Sequence, residues 1–250
     1  MPPQIIWELR KFVAPEFVFG IDARKLVGRY ARNLGAGRVF LVTDAGVLRA
    51  GWAEEAAASL REEHLEVVTY SAISPNPRDF EVMTGVEAFR RGNCDFIVAV
   101  GGGSAMDAAK GIGIVASNGG NILDYEGIDR VPVPMPPLLC VPTTCGTSAD
   151  VSQFAIINNT KARVKIAIVS KALVPDVSLV DPVTLSSLSA ATTAATGMDA
   201  MVHAIEAAVS NAASPLTDVH AMQALRLLQT HLAAAVQSAD LLAIRDETAR

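Results

Sequence analysis

The sequence predicts an α/β protein that turns all-helical towards its C-terminal end, and three observations carry that prediction. Short apolar runs alternate with amphipathic stretches through the first part of the chain, the pattern of a parallel sheet covered by helices on both faces. The strongest strand-like run, Asp95–Val100, passes directly into Gly101-Gly-Gly-Ser104 and then into a helical pattern. From about Ser186 onwards the chain is alanine-rich with helical period and has no further strand-like run. A boundary near Pro182 therefore divides an α/β domain, residues 1–182, from a helical one, residues 183–250.

Each element follows from its local pattern. Arg38–Thr43 reads as a short buried strand ending at Asp44. Trp52–Glu63 is amphipathic and helical, with His64 at its solvated end, and Leu65–Tyr70 returns to strand character. The turn cluster Ser74-Pro-Asn-Pro77 launches a helix over about Arg78–Arg90, with Pro77 near its start. A helix is expected from about Ala105 to Val115. Asn118–Pro137, with two glycines at one end and four prolines at the other, is expected to lack regular structure. Leu138–Val141, Phe154–Asn158, Val164–Val169 and Val177–Val180 read as strands, and the second and third of these are joined by the polar turn Asn159–Arg163. Helices follow near Ala190–Asn211 and Pro215–Val236.

The bulk properties remove several functions. Half of the 250 residues are hydrophobic and 19% are charged, as in compact globular proteins. A net charge of −5 gives no electrostatic support for nucleic-acid binding. No apolar run reaches the ~18 residues of a membrane span. The N-terminal Met-Pro-Pro-Gln-Ile-Ile-Trp-Glu has neither a basic nor an apolar signal region, so no secretory signal is expected. Cys94, Cys140 and Cys145 are odd in number and lack metal-type spacing, which suggests reduced thiols in a cytoplasmic protein.

Three segments carry chemistry. In the strand–Gly101-Gly-Gly-Ser104–helix unit, glycines let backbone approach a diphosphate, and the free N–H groups of the helix favour negative charge. A tight strand-to-helix turn is the plainer alternative, but three glycines and a serine exceed what such a turn needs. The unit is neither G-x-G-x-x-G, since Met106 stands where glycine is required, nor a P-loop; Gly111-x-Gly113 lies inside a helix and is a decoy. In that helix, Asp107 could complement the N-terminus and Lys110 could be a solvated charge. Pro142-Thr-Thr-Cys-Gly-Thr-Ser-Ala-Asp150 supplies hydroxyls for a phosphate or ribose, or simply turn chemistry. Asp44, at a strand end, suits either a ribose or a helix cap. Finally, Asp199 and His203 are four apart in Ala195–Ala207, read as the opening of a helix with Gly197 at its entry. That spacing stacks a carboxylate and an imidazole on one face, where they can share a divalent metal. A helix-surface hydrogen bond is the commoner role of such a pair, and a metal site needs at least a third ligand.

Taken together, Gly101-Gly-Gly-Ser-Ala-Met-Asp-Ala-Ala-Lys110, Pro142–Asp150 and Thr196-Gly-Met-Asp-Ala-Met-Val-His-Ala-Ile-Glu206 resemble, in order, the GGGSxxDxxK, PTTxGTGSE and TGxDAxxHAxE segments of the iron-containing (group III) alcohol dehydrogenases. The resemblance runs from about Phe17 to the last residue. It implies a dehydroquinate synthase-like fold, a dinucleotide-binding domain followed by a helical one with metal in the cleft between them. It further implies NAD as cofactor and divalent iron, alternatively zinc, as metal. The carried-over cofactor residues are Asp44, Asn76, Gly101, Gly102, Gly103, Ser104, Asp107, Thr143, Thr144, Ser152, Lys165 and Leu179. Asp44 would favour NAD, since its carboxylate would repel a 2′-phosphate. Asp199 and His203 would be metal ligands, with no other catalytic residue beyond the metal site.

The expected reaction is hydride transfer between a small alcohol or aldehyde and NAD, in a cytoplasmic homo-oligomer with no nucleic-acid or membrane partner. The family supplies two further histidine ligands well beyond the position of His203, and His220 and His231 fall on the helix before them, so both read as surface or partly buried residues. A C-terminally truncated family member is therefore expected, with weak metal binding, little activity and exposed apolar surface. Ser148, Ala149 and Asp150 depart from the family's Gly-Ser-Glu, and Cys145 takes a position commonly small and inert. The competing expectations are a non-catalytic nucleotide-binding or regulatory relative and a related metal-bound synthase or glycerol-type dehydrogenase.

Overall fold

The computed structural model describes residues 12–237. Its strands are β1 (Glu16–Phe19), β2 (Arg38–Val42), β3 (Glu66–Tyr70), β4 (Phe96–Gly101), β5 (Gly127–Ile128), β6 (Leu138–Pro142), β7 (Phe154–Asn159), β8 (Val164–Val169) and β9 (Val177–Val180). The helices are α1 (Val27–Asn33), α2 (Ala45–Ala50), α3 (Trp52–Glu62), α4 (Asp79–Arg91), α5 (Gly103–Asn118), α6 (Ala190–Val209) and α7 (Pro215–Gln237).

Six strands form one parallel sheet in the order β1-β9-β6-β4-β2-β3. Every residue of β4 is buried, as the uninterrupted apolar run Phe96–Val100 requires of a central strand covered on both faces. Alternating side chains feed two separate cores. Val39, Leu41, Phe96 and Val98 pack with Val27 and Ala31 of α1 and with Ala53, Ala56 and Leu60 of α3. Phe40, Val42, Ile97 and Ala99 pack with Val86 and Phe89 of α4 and Ile112 of α5. From β2 the chain moves outward to β3, whereas from β4 it moves the opposite way to β6. The strand order thus reverses between β2 and β4, and a crevice opens beyond the C-terminal ends of strands at such a point. Asp44 and Gly101–Ser104 stand there.

Several expectations need correction. The segment 118–137 is not wholly irregular: Asn121 caps a 3₁₀ turn over Ile122–Tyr125, and β5 pairs in parallel with β8. β7 and β8 pair antiparallel and join β5 in a second, three-stranded sheet. β1, α1 and α2 lie in stretches for which no element is expected from local pattern. Gly197 does not open a helix. α6 begins at Ala190, capped by the Ser189 hydroxyl, which accepts from the Thr192 N–H, so Gly197 lies two turns inside. It is buried where a side chain would collide with Leu232 of α7, at 2.2 Å from an added Cβ, so glycine permits the close α6–α7 crossing.

The exposed apolar surface expected of the helical part is present. Met198, Val202, Ile205 and Val209 form a solvent-facing stripe on α6, and Leu216, Val219 and Met222 continue it on α7. Among the described residues no helix is long and apolar enough to cross a membrane. The three cysteines are free thiols, Cys94 and Cys140 buried and Cys145 partly so.

Candidate functional site

The turn after β4 is built as a cradle. Gly102 is the N-cap of α5, and α5 starts at Gly103, earlier than the expected Ala105. A Cβ on Gly102 would lie 3.1 Å from the Thr144 methyl, and one on Gly103 would lie 2.7 Å from the Thr147 hydroxyl oxygen. The threonines of the second motif therefore close down on the glycines of the first. What glycine leaves open is backbone at a helix N-terminus, an arrangement suited to phosphate oxygens. Asp44 performs one of its two expected roles visibly: its Oδ1 accepts from the Gly46 and Val47 N–H groups and caps α2. Its Oδ2 lies 3.5 Å from where a Cβ on Gly101 would stand, so the carboxylate also edges the crevice.

Asn76 organises the neighbouring wall. It takes φ 56°, a left-handed conformation that asparagine tolerates better than most residues. Its N–H donates to Ser104 Oγ at 3.0 Å, its carbonyl accepts from Asn158 Nδ2 at 2.9 Å, and its Oδ1 accepts from Lys165 Nζ at 2.7 Å. Three elements distant in sequence are thus tied at one point. The turn that presents Asn76 is held by Glu81, whose buried carboxylate accepts from the Ser74 hydroxyl and the Arg78 N–H.

Lys110 corrects the expectation of a solvated charge. Its side chain is 0% exposed, and Nζ donates to the Ser152 carbonyl at 2.8 Å, Ser152 Oγ at 3.3 Å and the Phe154 carbonyl at 2.9 Å. Burial lowers its pKa, opposed by the nearby Cys140, Asp107 and Asp150. Asp107 does more than complement a helix end, because burial pushes it up to about 7 despite Lys110, the Ile156 N–H and Lys165. Asp150 is also raised by burial, against a 2.6 Å hydrogen bond from Ser178 Oγ. Thr143 and Leu179 are buried, Leu179 in the α1–α3 core, so neither presents its side chain to a cleft.

The Asp107 environment has a consequence for stability. A carboxyl raised from 3.8 unfolded to about 7 folded binds more protons in the native state across that window, so its contribution to stability falls as pH rises from about 4 to about 7. Asp107→Asn should flatten this part of the profile and stabilise the protein above pH 7. Urea midpoints of both proteins at several pH values will check it; parallel profiles would show that Asp107 is not the source.

Asp199 and His203 sit on α6 as the spacing predicts, with His203 Nε2 and Asp199 Oδ1 3.7 Å apart and both side chains about half exposed. They face a cleft of about 360 Å³ that is also lined by Asn76, Gly103, Ser104, Asp107, Ser152 and Lys165. The donor types suit a divalent iron or zinc, but they number two. Among the described residues no group of three or more His, Cys, Asp or Glu side chains is placed to hold a metal. His220 is exposed and stacks on Phe12, and His231 is partly buried; neither lines this cleft. A second cleft of about 400 Å³ runs along the ends of β1, β6 and β9, lined by Phe17, Thr144, Cys145, Asp150 and Asp181 among others. Thr147 and Gly146 lie inside the Pro142–Asp150 segment and belong to the site but are absent from the carried-over residues; what distinguishes them is contact with Gly103 and with α6, which sequence spacing does not record.

Ser148 takes φ 50°, where the resembling pattern has glycine. Ser148→Gly should relieve the left-handed penalty and, after the entropy cost of glycine, stabilise the protein by about 0.5 kcal/mol. A thermal midpoint unchanged or lowered would contradict this.

The chain is similar in sequence and in fold to known proteins. A family profile described as Iron-containing alcohol dehydrogenase matches residues 14–182, and one described as Fe-containing alcohol dehydrogenase family, C-terminal, matches residues 193–249. The NAD-dependent methanol dehydrogenase of Bacillus methanolicus is 40% identical over 238 residues, covering 95% of this chain and 62% of the relative. The 1,3-propanediol dehydrogenase of Citrobacter freundii is 42% identical over 233 residues, covering 92% and 60%. The crystal structure of a 1,3-propanediol oxidoreductase superposes with a TM-score of 0.95 at 41% identity, over 97% of this chain and 64% of that one. The chain thus spans about three-fifths of the length of the curated relatives it matches.

Proposed function

This chain belongs to the iron-containing alcohol dehydrogenase family, and on that premise we propose that it forms the NAD-binding part and the first metal ligands of an NAD-dependent, metal-dependent alcohol dehydrogenase. The observation that carries the proposal is the single cleft in which Ser104, Asp107 and Lys165 face Asp199 and His203. Two groups of different chemistry, a phosphate cradle and a metal-type donor pair, meet within one space. When bound, divalent iron supplies Lewis acidity towards an alcohol or aldehyde oxygen and NAD supplies the hydride acceptor.

The chain's own residues orient and select. The first amides of α5, freed by Gly102 and Gly103, hold the diphosphate. Asp44 accepts from ribose hydroxyls, and its charge disfavours a 2′-phosphate, which selects NAD. Thr144 presses its methyl against the Gly102 turn, and Thr143 and Leu179 support the cofactor site from the buried side of the cradle. Lys165, held by Asn76, places a positive charge on the wall opposite α6. Asp199 and His203 offer an anionic oxygen and an imidazole nitrogen to the metal, iron before zinc. The relatives' activities as methanol and 1,3-propanediol dehydrogenases support a short alcohol, diol or the matching aldehyde as substrate, and favour catalysis over a purely nucleotide-binding relative.

On the same footing we propose the division near Pro182 into a cofactor-binding part and a helical part, a homo-oligomeric assembly, and a cytoplasmic location consistent with three free thiols. The test is NADH formation by the protein containing this chain at its full length, supplied with Fe²⁺ or Zn²⁺ and primary alcohols or diols. Metal-dependent turnover that His203→Ala abolishes is the expected result. Absence of turnover across alcohols, diols and aldehydes, with the metal bound, would contradict the proposal.

A further inference from the structure

Residues 144–147 touch two different structures. Thr144 closes over Gly102, and Thr147 over Gly103, both on the cradle side. Between them, Cys145 Sγ lies 3.5 Å from Thr196 Oγ1 on α6. Gly146 is buried against the same helix. A Cβ there would stand 2.7 Å from the Thr196 carbonyl oxygen, 2.8 Å from Asp199 Oδ2 and 3.1 Å from Asp199 Cβ. Four consecutive residues therefore touch the glycine turn with their outer pair and the Asp199-bearing helix with their inner pair.

We propose that Gly146 is a positioning residue that sets how closely α6 approaches the cofactor cradle, and so where Asp199 and His203 stand relative to it. The physical reason is contact without slack. A methyl at position 146 would meet a backbone carbonyl, which cannot rotate away as a side-chain tip can, and the carboxylate that is to serve as ligand. Relief of the carbonyl contact requires α6 to move back, which carries both donors away from the cradle, and the carboxylate must also turn from the added methyl, which takes Asp199 out of line with His203. The cradle is spared, because the three atoms nearest the added methyl all belong to α6. This inference rests on the proposed metal role of Asp199 and His203 and adds the residue that fixes their distance from the cofactor.

Gly146→Ala tests it in the protein containing this chain at its full length, with Zn²⁺ alone and NADH alone as probes. His203 ring signals followed by NMR report Zn²⁺, NADH fluorescence reports the cradle, and a thermal melt reports the fold. The expected result is Zn²⁺ binding weakened about fivefold or more, with NADH affinity within about twofold of wild type. Unchanged Zn²⁺ affinity in a folded variant would overturn the proposal. If alanine prevents folding, Cys145→Val thickens the adjoining contact with Thr196 without meeting the carbonyl, and carries the same two readouts with the same expected and contrary results. A wild-type chain whose His203 signals ignore Zn²⁺ while NADH binds would remove the metal reading itself, and the proposal with it.

Discussion

Lys110→Met will destabilise the protein by about 3 kcal/mol, although among the described residues no charged partner lies within ion-pair distance of the lysine and the methionine keeps its stem. The ammonium donates three hydrogen bonds, to both carbonyl and hydroxyl of Ser152 and to the Phe154 carbonyl, from a side chain with no solvent exposure. Hydrogen bonds from a charged group contribute about 1.5–3 kcal/mol each, and losing the donor leaves buried acceptors unpaired. Against this, the variant no longer buries a charge, which returns part of the loss. The net remains a large fraction of a typical domain's stability. The consequence is local as well, since Ser152 and Phe154 line the cleft that faces Asp199 and His203. A urea midpoint lowered by about 1 M or more is expected. A midpoint indistinguishable from wild type would mean that the three bonds contribute nothing net.

Gly102→Val will weaken NADH binding about a hundredfold while leaving the fold nearly intact. Gly102 has φ −84° and ψ −171°, extended backbone that valine adopts readily, so the substitution brings no conformational strain. Its Cβ would already lie 3.1–3.2 Å from Thr144, so the two methyls beyond it crowd the Thr144 side of the cradle's mouth. There they take the space through which a diphosphate reaches the first amides of α5. A hundredfold loss corresponds to about 2.7 kcal/mol, the scale of a few lost phosphate hydrogen bonds. Titration by NADH fluorescence, with a thermal melt beside it, separates occlusion from unfolding. Wild-type affinity in the variant would remove the cradle from the cofactor site.

The elements legible in the sequence are those whose signal is local. β4 is a continuous apolar run and is buried at every residue, and α3 repeats its apolar positions at helical spacing. β1 gave no such signal. Its four residues Glu16–Phe19 are mostly exposed, and it is a strand because β9 pairs with it at the sheet edge. α2 has six residues and α1 seven, too few for periodicity to speak, and the cap at Asp44 could equally have belonged to a ribose.

The site divides the same way. Asp199 and His203 announce themselves by one helical turn, and the glycines by their run after a strand. The fate of Lys110 depends on carbonyls more than forty residues away, and lysine's ordinary preference for water pointed elsewhere. That the donor pair and the cradle share one cleft follows from the packing of Gly146 on α6, which no motif contains as a spacing.

The shared cleft is tested most directly by placing Mn²⁺ and NAD⁺ on the protein together and following the proton signals of the dinucleotide. Mn²⁺ held by Asp199 and His203 should broaden the nicotinamide protons strongly and the adenine protons weakly, and His203→Ala should abolish the effect. Mn²⁺ and NAD⁺ both bound, with the nicotinamide protons left sharp or the adenine broadened instead, would contradict a single cleft that joins cofactor and metal.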